Sequence, residues 1–393
     1  MSVHNPTAAT TVSNKTNVGN SQLRFKTLKG DLFSGVQTVQ TAVSTRATLP
    51  VLSNILVEAD PDGVTLAATD LEVGIKTRIK ADVESAGSTT IPAKLFSDFL
   101  RTLDEKREVS VSVSEGVRIE IKSGRDRCHL TGLPKEDYPV LPSFGFADAV
   151  PIDRALLRDM IRKTVFSAST DETRYVLNGV NFVLDENALT LVATDGRRLS
   201  LFKQKGIASK SSINAIVPTK ALHELLRVIG TDDAGRRGQP IQMAFGDNQV
   251  SFKDGETVVL SRLVEGHFPS YEQVIPRTNP ISLKLDRPAF QAAVTRASIG
   301  ALERGGSVHL NLTPGNMRIS ASSQGRVEVD AELTVSYEGP PLTIAFNPIY
   351  ILDLLKVLDV GEISFDLGSP LNPGAIRVPG IENYVYVLMP MKV

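Results

Sequence analysis

One pattern of residues is written three times in this chain, and that repetition limits the possible fold more than any other feature. Leu191 to Ile229 read LVATDGRRLSLFK, a polar break, then IVPTKALHELLRVI. The alternating run ends in Ala193-Thr194-Asp195-Gly196, and a Pro-started segment follows with Leu222, Leu225, Leu226 and Ile229 at the spacing of one helix face. Upstream, LAATDLEVGIK precedes IPAKLFSDFLRTL, with Phe96, Phe99, Leu100 and Leu103 on the equivalent face. Downstream, ISASSQGRVEV precedes FNPIYILDLLKVL, where Ile351, Leu354, Leu355 and Leu358 repeat the stripe. Pro92, Pro218 and Asn347 correspond, at offsets of 126 and 129 residues. Repeats of that length are domain-sized, each able to bury its own core.

The 393 residues therefore divide into three repeats, expected at 22–147, 148–278 and 279–393. Residues 1–21, MSVHNPTAATTVSNKTNVGNS, lack the apolar centre of a signal peptide and read as a disordered tail. No apolar run reaches the roughly 18 residues of a membrane span. The single cysteine, Cys128, excludes an internal disulfide framework and a multi-cysteine zinc site, and points to a reducing, cytoplasmic setting.

Within each repeat the order is helix, strands, helix, strands. The first helix is expected at about Leu28 to Ser44 with Leu32, Val36, Val39 and Val43 inward. Asp153 reads as the N-cap of a helix carrying Leu157, Met160, Ile161 and Val165, and Asp286-Arg287-Pro288 opens one carrying Phe290, Ala293, Val294 and Ala297. VSVSV, VRIEIKS and VEVDAELTV alternate with period two, as half-buried strands do. Hairpin-like spacing without βαβ alternation makes the class α+β, with two helices per repeat packed on antiparallel sheet.

A formal net charge of −1 argues by itself against a polyanion partner. The six helical segments nevertheless sum to +5, leaving −6 for the remainder. Arg154, Arg158, Arg162, Lys220 and Arg227 contribute to a mildly basic helical side that could face a polyanion. Charge alone favours the plainer alternative, that these residues solvate outer helix faces.

Familiar catalytic signatures are missing: the sequence holds no phosphate loop, dinucleotide fingerprint, HExxH, GxSxG or Cys/His cluster. Asp70 and Asp195 recur at one repeat position. They could be paired carboxylates for acid/base work, but recurrence favours a turn whose backbone they bind.

ATDLE then ATDGRRL, NILVEA after RATLPVLS, RYVLNGV, FPSYEQVIP and a terminal YVLMPMKV, in that order, resemble the bacterial DNA polymerase III β subunit family of sliding clamps over about Leu23 to Val393. The resemblance implies a non-catalytic, cofactor-free processivity factor, a head-to-tail homodimer closing a ring around duplex DNA with helices inside. Simple geometry agrees. Six helices side by side at about 10 Å would leave an opening of about 9 Å, whereas twelve leave about 28 Å, enough for a duplex roughly 20 Å across. Loading would need a separate ATP-driven loader.

The resemblance also implies a hydrophobic partner-peptide cleft on the second repeat. It would be lined by Leu177, Thr194, Gly196, Arg197, Arg198, Leu199, Pro269, Gln273, Val274, Tyr350, Val387, Leu388, Met389, Pro390 and Met391. Its ligands would be short motifs from the polymerase III α subunit, the loader, other DNA polymerases, and mismatch-repair and ligase proteins. Arg197 replaces a frequent His and Gln273 a frequent Arg. Arg46, Arg174 and Tyr175 fall where the family approaches DNA, and Cys128, Ile299 and Leu302 where its ring closes. Two other readings compete: a duplicate clamp specialised for inhibitor resistance, and a protein-binding scaffold that never meets DNA.

Overall fold

The computed structural model describes residues 23–44, 49–114, 117–142, 145–185, 187–230, 239–301, 306–323 and 327–392. The expected tail at 1–21, Arg46 and Leu302 lie outside the described residues. The described residues fall into two compact units, one within 23–68 and 78–139, the other within 69–77 and 140–392.

The first unit holds a five-stranded antiparallel sheet ordered Asp82–Ser85, Arg24–Leu28, Glu108–Ser114, Arg118–Ser123, Asp126–Thr131. Asn54–Asp60 pairs on either side with Gly63–Thr69 and Gly87–Pro92. Helices α1 (Lys29–Gln40) and α2 (Ala93–Arg101) pack together, burying Leu32, Val36, Val39, Phe96 and Leu100. Helix α1 is shorter than expected. The amides of Ala42 and Val43 donate to Val39 and Gln40, three residues back, so the chain tightens out of the helix before Val43. The same tightening ends α2, where Leu103 donates to Leu100 yet stays buried.

The second unit holds the other four helices: α3 (Arg154–Arg162), α4 (Thr219–Gly230), α5 (Arg287–Ser298) and α6 (Pro348–Val357). Asp153, Asp286 and Asn347 cap α3, α5 and α6, their side-chain oxygens accepting from the amides of Leu156, Ala289 and Ile349 at 2.8, 2.8 and 2.9 Å. Each such cap is worth about 1 kcal/mol. Helices α3 and α4 pair, as do α5 and α6, so the two-helix layer predicted for each repeat is present.

One eight-stranded antiparallel sheet matters most for function. Its order is Ile213–Pro218, Gly179–Asp185, Ala188–Thr194, Arg198–Lys205, Ile381–Leu388, Gly374–Val378, Glu362–Leu367, Ile281–Asp286. Its first four strands belong to the second repeat and its last four to the third. The join is the register Arg198 to Leu388 through Phe202 to Tyr384, which brings the C-terminal strand against the second repeat's turn. Among the described residues no helix is long and apolar enough to cross a membrane.

Candidate functional site: an apolar cleft beside the C-terminal strand

The cleft starts from a turn. Asp195 Oδ1 accepts from the amides of Arg197 and Arg198 at 2.8 and 3.0 Å, and Thr194 Oγ1 accepts from Gly196 N at 3.0 Å while donating to Arg198 O at 2.6 Å. Such side-chain closure fixes a tight reversal, and Gly196 supplies the positive φ of 85° that it demands. Asp70 does the same for Glu72 and Val73, at 3.0 and 2.9 Å. Both carboxylates are thus occupied by turns, and the acid/base alternative has no free pair to work with. Among the described residues no three His, Cys, Asp or Glu side chains gather as metal ligands.

Beside this turn lies a cleft of about 180 Å³ lined by Thr194, Gly196, Arg198, Leu199, Pro269, Ser270, Tyr271, Val274, Val387 and Met389. Its floor is a buried cluster of Val192, Leu199, Ala375, Val385 and Val387, against which Leu201, Phe268, Tyr271 and Ile275 pack. Val274 and Met389 remain over a third exposed and lie together on the same groove, so the apolar surface there is contiguous. The amide of Met389 donates to Arg197 O at 2.9 Å, extending the strand pairing to the cleft's rim. Burial, and then Glu272, push the Tyr271 phenol above its ordinary pKa, so it stays a neutral hydroxyl near neutral pH.

Arg198 forms the polar end. Its Nε lies 3.1 Å from Asp195 Oδ2 and its Nη1 2.8 Å from Asp353 Oδ2, with the guanidinium 4.5 Å above the Tyr350 ring. Burial opposes its charge, but Tyr386, Asp353 and Asp195 outweigh that penalty and hold its pKa above the ordinary value. Tyr386, its pKa pushed far up by burial, donates to the Tyr350 backbone carbonyl at 2.9 Å and so holds the backbone that carries the ring.

Other residues expected at the cleft sit around it. Leu177 is buried at the end of the 172–177 turn, Arg197 and Gln273 are exposed, and Tyr350 serves as the platform under Arg198. Leu388 is fully buried and does not line the cleft, because successive strand residues face opposite sides and Val387 takes the cleft side. Pro390 is half-buried, and Met391 bridges to Ala345 on the third repeat, donating to its carbonyl at 2.8 Å. Ser270 and Tyr271 are additions. The signal was available, since an aromatic bracketed by Pro269 and Val274 marks an apolar surface segment.

The candidate DNA-facing residues fare unevenly. Arg154 is no solvent cation: its side chain is 11% exposed and lies 3.3 Å from the buried Asp254. A carboxylate left alone there would be costly, so the arginine is held inward. Arg174 is also tied up, its Nε donating to Asp171 Oδ2 at 3.0 Å and its Nη1 to Asp195 O at 2.8 Å, which braces the cleft turn. Thr173 first, then Arg174, hold Asp171 below the usual carboxylate pKa. Lys220 pairs with Asp70 at 2.5 Å and Glu72 at 3.0 Å. Arg227 lies 3.4 Å from Glu224 and exposed Arg162 3.8 Å from Asp359. Arg158 makes no ion pair among the described residues, and Tyr175 is 58% exposed.

Of the ring-closing candidates, Cys128 lies half-buried on the edge strand Asp126–Thr131, where desolvation raises its thiol pKa. Ile299, just past α5, is 55% exposed. The edge strand Val327–Thr334 presents Glu328, Asp330 and Glu332 outward, with Asp330 paired to Arg318 at 2.7 Å, and Asp126–Thr131 presents Asp126, Arg127 and His129, with Asp126 2.9 Å from Arg107.

Comparison with known proteins accounts for all three repeats. Family models for the DNA polymerase III beta subunit match end to end: its N-terminal domain at residues 23–142, central domain at 151–270 and C-terminal domain at 272–392. The beta sliding clamp of Vibrio cholerae is 32% identical over 371 residues, covering 94% of this chain and all of that protein. Its Staphylococcus aureus counterpart is 32% identical over 381 residues, covering 93% of this chain and 98% of that one. The Caulobacter crescentus beta sliding clamp, solved with polyethylene glycol at its putative beta-motif tethering region, superposes with a TM-score of 0.88 at 32% identity over 95% of this chain and all of that one. With the repeats, the turn chemistry and whole-length relatives in agreement, this chain belongs to the DNA polymerase III beta subunit family, the sliding clamps that act as non-catalytic processivity factors in DNA replication.

Proposed function

We propose that the cleft of the second repeat is where this clamp takes short peptide segments of the polymerase III α subunit, the clamp loader, other DNA polymerases, and mismatch-repair and ligase proteins. The observation that carries this reading is an open apolar groove whose exposed walls, Val274 and Met389, come from segments more than a hundred residues apart. Adaptable Met beside rigid Pro and Tyr suits one groove to several related ligands. An apolar contact of about 200 Å², at about 25 cal/mol per Å², contributes about 5 kcal/mol before ordering costs, so affinity should be on the order of micromolar.

The same reading treats the clamp as a head-to-tail homodimer, with the edge strand Asp126–Thr131 of one copy meeting the edge strand Val327–Thr334 of the next. Strand edges left open at the ends of their sheets favour that pairing. Cys128 and Ile299 would lie at or near this join. DNA would be encircled without sequence preference, Arg158, Arg162, Tyr175 and Arg227 giving weak, exchangeable contacts. Domain limits of 22–147, 148–278 and 279–393, and a cytoplasmic, nucleoid-associated location, belong to the same proposal.

Calorimetry of the full chain with a Gln-Leu-x-Leu-Phe peptide tests the cleft. Micromolar binding that weakens in Val274→Ala supports it, and unchanged affinity in that folded variant overturns it.

A further inference from the structure

Asp353 lies outside the cleft, on α6 of the third repeat, yet its Oδ2 accepts from Arg198 Nη1 at 2.8 Å. Asp195 takes the Nε edge of the same guanidinium at 3.1 Å, and the Tyr350 ring lies 4.5 Å beneath it. The Phe166 ring lies 5.7 Å away, and a planar cation held along two edges and against two rings has little rotational freedom left, with Arg198 only 10% exposed. Arg198 nevertheless lines the cleft, so its orientation sets the shape of the groove's polar end. The other near partner of Asp353 is Lys356 on its own helix at 3.7 Å, an exposed side chain that leaves the carboxylate available.

We infer that Asp353 is a positioning residue for the cleft: it keeps Arg198 flat on Tyr350, so that ligand affinity at the second repeat depends on a carboxylate of the third. The inference rests on the cleft being the peptide site. Without Asp353, Nη1 loses its carboxylate acceptor, and the guanidinium is left with Asp195 on Nε and the Tyr386 hydroxyl. The outer torsions of Arg198 regain freedom, and the guanidinium competes with the peptide for a groove of only about 180 Å³. Among the described residues, Asp195 is the second-repeat carboxylate that pairs with Arg198, and it is already engaged with two backbone amides and Nε.

The test uses the full chain and a Gln-Leu-x-Leu-Phe peptide as probe, with affinity read by calorimetry and folding by thermal melts. Asp353→Asn should weaken binding about fivefold, Asp353→Glu should restore it to within about twofold, and Lys356→Ala should leave it unchanged. In an Arg198→Met background, whose side chain needs no counter-ion, Asp353→Asn should change affinity less than about twofold. Wild-type affinity in Asp353→Asn, no rescue by Glu, or a full loss persisting beside Arg198→Met each overturns the positioning role. Should Asp353→Asn fail to fold, Tyr350→Leu removes the platform instead. It should give the same loss, and unchanged affinity there also overturns the role. Val274→Ala separates the two readings: if it binds as tightly as wild type, the groove is not the peptide site, whatever Asp353 does.

Discussion

Thr69-Asp70-Leu71-Glu72-Val73 and Thr194-Asp195-Gly196-Arg197-Arg198 are one turn built twice, and their differences separate fold from function. In both, Asp Oδ1 accepts two amides and Thr Oγ1 donates to the fifth residue's carbonyl, at 2.8 Å from Thr69 and 2.6 Å from Thr194. The third residue has φ of 80° in Leu71 and 85° in Gly196. The fifth residue diverges. Val73 is a buried strand residue, whereas Arg198 reaches Asp195, Asp353 and Tyr350 and walls the cleft. The remaining oxygen of Asp70 instead binds Lys220 at the start of α4. A shared backbone device thus fastens one repeat to the next helix at the first site. At the second it shapes a groove, because glycine leaves space and arginine supplies a fixed polar wall.

The comparison is tested hardest at the aspartates. Asp195→Ala removes two amide acceptors and half the counter-charge of a buried arginine, so urea denaturation should show a loss of about 3–4 kcal/mol, with peptide affinity down more than about tenfold. Asp70→Ala, facing a half-exposed lysine, should cost about 1–2 kcal/mol and leave peptide affinity alone. Equal losses at both sites would mean that the turns do the same work.

The groove itself offers the next effect. Met389→Ala should reduce peptide affinity by about 1–2 kcal/mol, with sedimentation of the variant unchanged. A change in oligomeric state would link the C-terminal strand to ring closure instead.

A smaller effect separates the third positions. Leu71→Gly relieves a left-handed leucine that is nearly half exposed, and should stabilise by about 0.5–1 kcal/mol in thermal melts. Gly196→Leu should destabilise, because a Cβ there stands 3.3 Å from Arg174 Nη1 and the side chain enters the cleft, lowering peptide affinity as well. Two neutral results would leave the glycine without a role.

The smallest effect is the ion pair of the first turn. Burial lowers the pKa of Lys220, but its hydrogen bonds to Asp70 and Glu72 outweigh that and leave the pKa raised above 10.5. The native state therefore holds this proton more tightly than the unfolded chain. The stabilisation is fully present below about pH 10.5 and is lost as pH rises through the raised folded value. Lys220→Gln should be less stable than wild type by at most about 1 kcal/mol between pH 7 and 10, and the gap should close at higher pH. A gap that widened in alkali would reverse the assignment.

Much of this molecule is local and therefore legible. The helical stripes, the caps at Asp153 and Asp286, the alternating Val327–Thr334 strand and the aspartate turns each depend on residues within a few positions of one another. The threefold recurrence of the strand-and-helix pattern alone establishes α+β repeats. The cleft was legible only through resemblance, since its walls at 194–199, 269–274 and 387–389 carry no local mark of being neighbours. Charge was read least well. Arg154, Arg174 and Lys220 count as cations in any sequence sum, but each is engaged with the protein's own oxygens.

By itself, then, the sequence determined the repeats, their secondary structure and the turn chemistry, because those obey short-range periodicity and hydrogen bonding. Only the tertiary structure decided which face of the last strand meets the cleft, putting Val387 on it and burying Leu388, because strand register assigns alternate residues to opposite sides. It alone also brought Asp353 to Arg198 across 155 positions. Which partner neutralises a buried arginine depends on the packing of an entire repeat, and no window of sequence contains that information.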